Sequence, residues 1–333
     1  MIIASFLDGL KRTVSAPAVL LCLFAVTFAM TVPLAITVRG MLREHLGASL
    51  AAERAADGVN YDWWQEFLPQ AAGLGTTFTP AVIGFAAVLH NVSDILDGKT
   101  PIAPVAGALA AYLLVWTFVL GGVIDRYARQ RPTRAHGFFA AGGVFFTRFV
   151  RLAAIAGLVY WFLFAYVHPW LFDNWYPALT RDLAVEREAF AWRVLLYAIF
   201  AVLLATTSVV LDYAKIRAVV EDRRSMVGAL LASIRFIARN PGRVLGLYVL
   251  NTAAFLVVIG VWAIAAPGAG RGGLAMWLAF ALGQLYLTAR LFVKLHVLAS
   301  QTSLFQASLA HASYTAMPRR VWPESPAAEM IGG

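Results

Sequence analysis

Residues 194–211 read VLLYAIFAVLLATTSVVL, eighteen positions without a charge, and Asp212-Tyr213-Ala214-Lys215 follow at once. A helix needs roughly 20 largely apolar residues to cross the hydrocarbon core of a bilayer, and this run reaches that length with apolar residues from its flanks. Five further stretches of the same kind surround it, at 14–38, 102–124, 152–167, 244–266 and 274–292. The expected fold is an all-α membrane protein with six transmembrane helices.

Composition agrees. Of 333 residues, 60% are hydrophobic and 14% charged, and the mean hydropathy is +0.71, whereas about a quarter of a soluble domain is charged. A disordered chain, a fibrous chain and an ordinary soluble enzyme are excluded. The single cysteine, Cys22, excludes a disulfide framework, a CxxC redox pair and a cysteine-based zinc site. The first apolar stretch is too long for a cleaved signal peptide and has no small-x-small site before Arg39, so a retained signal anchor is expected. The run 78–89 is too short to span, and Thr79 with Pro80 gives it a clean helix start. An interfacial or re-entrant helix is expected there.

Orientation follows from the basic residues. With the N-terminus inside, the inner segments carry 19 of the 27 Lys and Arg, and the outer segments carry 11 of the 18 acids. Both termini are then cytoplasmic. This placement also accounts for the net charge of +9, which reads as topology plus attraction to anionic headgroups on the cytoplasmic side, with no nucleic acid as partner. Arg outnumbers Lys 23 to 4, a bias of GC-rich bacterial genomes, and the expected location is the bacterial cytoplasmic (inner) membrane.

Self-comparison points to internal repetition. At an offset of 87 residues, Val123-Ile124-Asp125 falls on Val210-Leu211-Asp212, and Arg148-Phe149-Val150 on Arg235-Phe236-Ile237. Each unit has an acid closing a span, a basic hinge, an amphipathic surface helix (136–151 or 225–239) suited to the interface, and the next span. Phe6-Leu7-Asp8-Gly9-Leu10-Lys11-Arg12 resembles a weaker third copy. The chain divides into three parallel surface-helix-plus-hairpin repeats, 1–124, 125–211 and 212–298, and a cytoplasmic C-terminal helix and tail, 299–333. Small residues recur at four-residue spacing in the second helix of each unit: Ala103, Gly107, Ala111; Ala201, Ala205; Ala275, Ala279, Gly283. Such stripes let backbones approach closely in lipid, so these helices are expected near the centre of the bundle.

The first unit carries a large outer insertion, 39–101. It holds an expected amphipathic helix over 41–56 and the run Tyr61-Asp62-Trp63-Trp64-Gln65-Glu66-Phe67. Tyr61, Trp63, Trp64 and Glu66 read as an aromatic belt or as a recognition surface for a headgroup, a polymer or a partner protein.

Chemistry-bearing motifs are few. Gly268-Ala269-Gly270-Arg271-Gly272-Gly273 follows a span rather than a strand and lacks the Lys-Ser/Thr of a phosphate loop, so a tight turn explains it. The six histidines, at 45, 90, 136, 168, 296 and 311, have no metal-ligand spacing, and neither metal nor cofactor is expected. Asn91-Val92-Ser93 fits a glycosylation sequon but reads better as a helix cap or a surface polar cluster. Asn251 and Gln284 are the clear polar residues within spans, and interhelical hydrogen bonding or substrate contact would account for them. Asp125 and Asp212 read as structural counter-charges to Arg126, Arg129, Lys215 or Arg217, or as a paired ion site. No Asp, Glu, Lys or Arg lies mid-span, which disfavours a proton pump or a voltage sensor.

The stretches VNYDWWQEF (59–67), DRYARQRPTRAHGFFAAGG (125–143), DYAKIRAVVEDRRSM (212–226) and VWPESPAAE (321–329) resemble those of bacterial six-span integral membrane proteins that carry no assigned activity. The surface-helix-then-hairpin plan is also similar to the six-span region fused to some glycerophosphodiester phosphodiesterases; with no catalytic domain attached, no activity is implied. The expected function is that of a non-enzymatic integral membrane protein, an accessory subunit or a factor in envelope or lipid homeostasis. Its expected partners are the lipid bilayer and another membrane protein or a second copy. A permease for a hydrophobic or amphipathic solute, such as a lipid, is the alternative.

Overall fold

The computed structural model describes residues 1–56, 60–78, 90, 93–267 and 273–312. The expected helix at 78–89, the glycine-rich turn, the sequon and the tail from 313 on fall wholly or largely outside the described residues. Among the described residues every regular element is helical: α1 (Ile2–Val14), α2 (Pro17–Ala48), α3 (Ala52–Ala56), α4 (Tyr61–Gln70), α5 (Ala103–Arg129), α6 (Ala135–Phe162), α7 (Glu186–Val220), α8 (Met226–Arg239), α9 (Pro241–Ala265) and α10 (Leu274–Ala312). Two π-helical turns, Leu163–Val167 and Trp170–Trp175, prolong α6 to Thr180.

Six helices, α2, α5, α6, α7, α9 and α10, are long and apolar enough to cross a membrane, and each expected span lies largely or wholly within one of them. Local chemistry sets several boundaries. Pro17 and Pro241 open α2 and α9, where a missing N–H costs nothing. The Ser225 Oγ accepts from the Gly228 N–H at 3.1 Å to start α8, and Asn60 Oδ1 accepts from the Trp63 N–H at 3.0 Å to start α4. Gln130, at φ 55°, ends α5 in the left-handed region.

Two expectations are corrected. The surface helix foreseen at 136–151 is the first part of α6 and runs without interruption into the span. At the offset of 87 residues, the position of Pro241 is taken by Ala154, and without a proline nothing breaks the helix. The amphipathic helix foreseen at 41–56 is divided: 41–48 continues α2, and α3 follows after a break at Ser49.

The helix ends carrying residues 119–127, 138–152, 209–220 and 291–305 form the packed core, and this is the basic end of the bundle. Val123, Ile124, Tyr127, Phe145, Ile216, Leu295, Leu304 and Phe305 are almost fully enclosed. Here α5, α7 and α10 each pack on the other two, α1 lies along α10, and α8 folds back on α7. Arg148 ties α6 to the α7–α8 turn, its Nη1 meeting Asp222 at 2.5 Å.

Glycines mark the closest crossings, and they are not those of the four-residue stripes. A Cβ on Gly122 would fall 2.5 Å from the Phe138 carbonyl oxygen, one on Gly142 2.8 Å from that of Phe118, and one on Gly9 2.6 Å from Ser300 Cα. Gly107 and Gly283 have nothing within 4 Å of that position. Ala103 and Ala275 are exposed, and Ala111 and Ala279 are half-buried. The two stripe glycines therefore do not mark tight backbone contacts within the chain; the tight glycine contacts lie on α1, on α5 and in the first turns of α6.

Toward the opposite end, which carries the insertion, packing thins. Leu109, Leu113 and Leu114 on α5, Val202 on α7, Val257 and Val261 on α9, and Leu282 and Leu285 on α10 are exposed. A smaller cluster of Leu163, Leu171, Leu196 and Phe200 joins α6 to α7.

Candidate functional site

Three polar regions stand out. The first joins α1 to α10. Asp8 accepts from Arg12 Nε at 2.8 Å and from Ser303 Oγ at 2.7 Å, while Arg12 Nη1 donates to the Tyr127 carbonyl at 2.9 Å and to Gln306 Oε1 at 2.7 Å. Gln306 Nε2 in turn donates to the Ala128 carbonyl at 2.9 Å. Burial holds the Arg12 guanidinium below its ordinary pKa, and Asp8 partly restores it. Nearby, Asn251 Nδ2 donates to Ser300 Oγ at 3.0 Å, linking α9 to α10. This dense, satisfied seam has the character of a fastening: every group named in it already has a protein partner.

The second region lies at the insertion end. Trp63 is buried and donates from Nε1 to His45 Nδ1 at 3.0 Å; Trp64 donates to the Phe78 carbonyl at 3.1 Å. The Trp63 indole thus fastens α4 to α2 and the Trp64 indole fastens it to Phe78, and Tyr61 and Glu66 are the exposed members of the expected recognition surface. A groove of about 510 Å³, lined in part by Glu44, His45, Glu66 and Gln70, runs beside them.

The third region gathers charge among the long helices. The Lys294 ammonium of α10 sits 3.7 Å from the centroid of the Trp116 ring and 3.5 Å from Tyr112 Oη, both on α5. Asp212 and Lys215 of α7 pair at 2.8 Å, and Arg290 stacks over Tyr286 at 5.6 Å. The charges that act on Lys294 are Lys215, Asp212 and Arg290, and Asp212 also acts on Tyr160 and Tyr248. Taking an ammonium out of water costs several kcal/mol, and a ring face at this distance returns only about 1–2 kcal/mol.

The expected site residues are thus dispersed. Asp125, 4% exposed, pairs with Arg129 at 2.7 Å within α5, while Asp212 belongs to the Lys294 cluster. Gln284 Oε1 and Tyr286 Oη are buried and meet no hydrogen-bond partner among the described residues. Sequence reasoning missed Lys294, which lies two residues beyond the end set for the sixth span. It also missed the buried polar run Ser300-Gln301-Thr302-Ser303. The apolar positions Val293, Leu295 and Leu298 signal that the helix face continues past 292.

Among the described residues, no group of three or more His, Cys, Asp and Glu stands close enough to hold a metal ion. No protein-family model, no curated protein and no solved structure matches the chain.

Proposed function

We propose that the chain is a non-enzymatic integral membrane protein of the bacterial inner membrane, acting as an accessory subunit or as a factor in envelope or lipid homeostasis. The basic end lies in the cytoplasm, with both termini there, in keeping with the distribution of Lys and Arg. Three related units make up residues 1–298, each a helical segment at the cytoplasmic side followed by a hairpin of spans, and in the second unit that segment is continuous with its span. The observation that carries this reading is the closed core at the basic end: residues from α8 and from all six long helices fill it with enclosed aromatic and aliphatic side chains, and Ile2 and Phe6 of α1 pack against them, a plug rather than a passage.

The alternative, a permease for a hydrophobic or amphipathic solute, is favoured by one observation, the Lys294 cluster together with the buried Gln284 Oε1 and Tyr286 Oη of the same helix, which meet no hydrogen-bond partner among the described residues. Proteoliposomes decide between them. The purified chain is expected to leave the transbilayer movement of fluorescent phospholipids unchanged while co-purifying with a membrane protein or lipid in native discs. Protein-dependent movement would establish the permease.

A further inference from the structure

Lys294 and Arg290 stand one helical turn apart on α10, and the charges of the Lys215–Asp212 pair on α7 act on Lys294. Asp212 is taken by Lys215 at 2.8 Å, and neither Lys294 nor Arg290 forms an ion pair among the described residues. The local balance is two positive charges over. The rings of Trp116 and Tyr286 attract these cations but do not neutralise them. An anion is the missing component. Phosphate suits the set, because two ammonium groups and a guanidinium offer many donors and no acceptor.

The surroundings say where that phosphate comes from. Leu109 and Leu113 flank Tyr112 on α5, Leu282 and Leu285 precede Arg290 on α10, and all four are exposed. Leu109, Leu282 and Leu285 lie on the insertion side of the cations and Leu113 level with them, along helices of membrane-spanning length and composition. Charge at one end with an apolar wall beyond it matches the polarity of a phospholipid in the leaflet at the basic end. Trp and Tyr beside the charges are the side chains that favour the headgroup level.

We propose that Lys294, Lys215 and Arg290 together hold the phosphate of an anionic phospholipid whose chains run along α5 and α10. This rests on the membrane-embedded reading given above and holds for an accessory protein or a permease alike, so a positive transport assay would leave it standing.

The test uses the full-length chain in discs of phosphatidylcholine doped with phosphatidylglycerol, with lipid retained after detergent extraction counted by native mass spectrometry. The wild type is expected to retain phosphatidylglycerol over phosphatidylcholine. Lys294→Gln is expected to lower that retention about tenfold, as removal of one charge-assisted contact does. Lys294→Arg should preserve it, and Arg224→Gln, an exposed charge elsewhere at the basic end, should leave it unchanged. If Lys294→Gln does not fold, Arg290→Gln takes its place, with a severalfold loss expected. Unchanged retention in the variant tested, or an equal loss in Arg224→Gln, would overturn the site. Thermal stabilisation by inorganic phosphate alone, as large as that by phosphatidylglycerol, would overturn the lipid as its source.

Discussion

Consider alanine placed at Gly122 and, separately, at Gly107. Both lie within α5, so both changes gain the same helix propensity, up to about 1 kcal/mol, and that gain cancels between them. The surroundings do not cancel. At Gly122 the new methyl would meet the Phe138 carbonyl oxygen at 2.5 Å and two Phe138 ring carbons at 2.9 Å, whereas at Gly107 it would meet nothing within 4 Å. A comfortable contact needs about 3.5 Å, so α6 must retreat by about 1 Å along a crossing that also holds Gly121 and Gly142. Forced overpacking of this kind costs about 1–3 kcal/mol. Gly107→Ala should therefore be neutral or stabilising, with Gly122→Ala about 1–3 kcal/mol below it, or about 2 °C in midpoint for each kcal/mol in a chain of this size. Thermal unfolding of the two purified variants in one detergent gives the comparison. Equal midpoints, or a greater loss at Gly107, would refute the reasoning and return the tight contacts to the four-residue stripes.

Three other outcomes are expected. Asp125→Asn should cost about 1–3 kcal/mol, because it leaves a buried partner of Arg129 uncharged. Combined with Asp212→Asn its effect should be additive, since the second carboxylate serves Lys215 on another helix; strong coupling in a double-mutant cycle would indicate a shared ion site. Arg12→Met should cost a similar amount, about 1–3 kcal/mol, and should increase proteolysis of the N-terminal helix, because Arg12 links Asp8, Gln306 and the Tyr127 carbonyl. Tyr197 donates to Asp97 at 2.5 Å and holds that carboxyl below its usual pKa of 3.8, with Ser93 and Lys99 adding to the effect. The folded value being the lower, this contribution is in place above the unfolded pKa and is lost as pH falls through the folded one. Tyr197→Phe should flatten the acid limb of a melting-temperature profile, and an unchanged limb would remove the link.

Much of the fold is legible in the sequence because each membrane-length apolar run must become a helix to satisfy its own backbone. Pro17 and Pro241 announce the breaks that set α1 and α8 apart, and Ala154 in place of a proline lets α6 run on; one residue type decides whether a surface helix is separate. The close contacts are less legible. Gly107 and Gly283 show the same spacing as a packing stripe but face open space, whereas Gly9 is a lone glycine in a basic segment whose neighbour, Ser300, lies far along the chain. The candidate site is least legible of all. Lys294 looks like the first charge after a span until α10 carries it to Trp116 and Tyr112, and such a meeting depends on how two helices cross. Asn251 is legible as a polar residue in a span, but its partner Ser300 emerges only from the fold.

The account stands on the basic end lying in the cytoplasm, with the insertion end outside. Cysteines at Asp182 and Arg131, one in each variant and with Cys22 replaced, test this in intact cells with a membrane-impermeant thiol reagent; both positions are exposed. Asp182→Cys should label at once, and Arg131→Cys only after the cells are permeabilised. Labelling of Arg131→Cys in intact cells, as fast as that of Asp182→Cys, would contradict the six-span arrangement and the placement of the Lys294 cluster that follows from it.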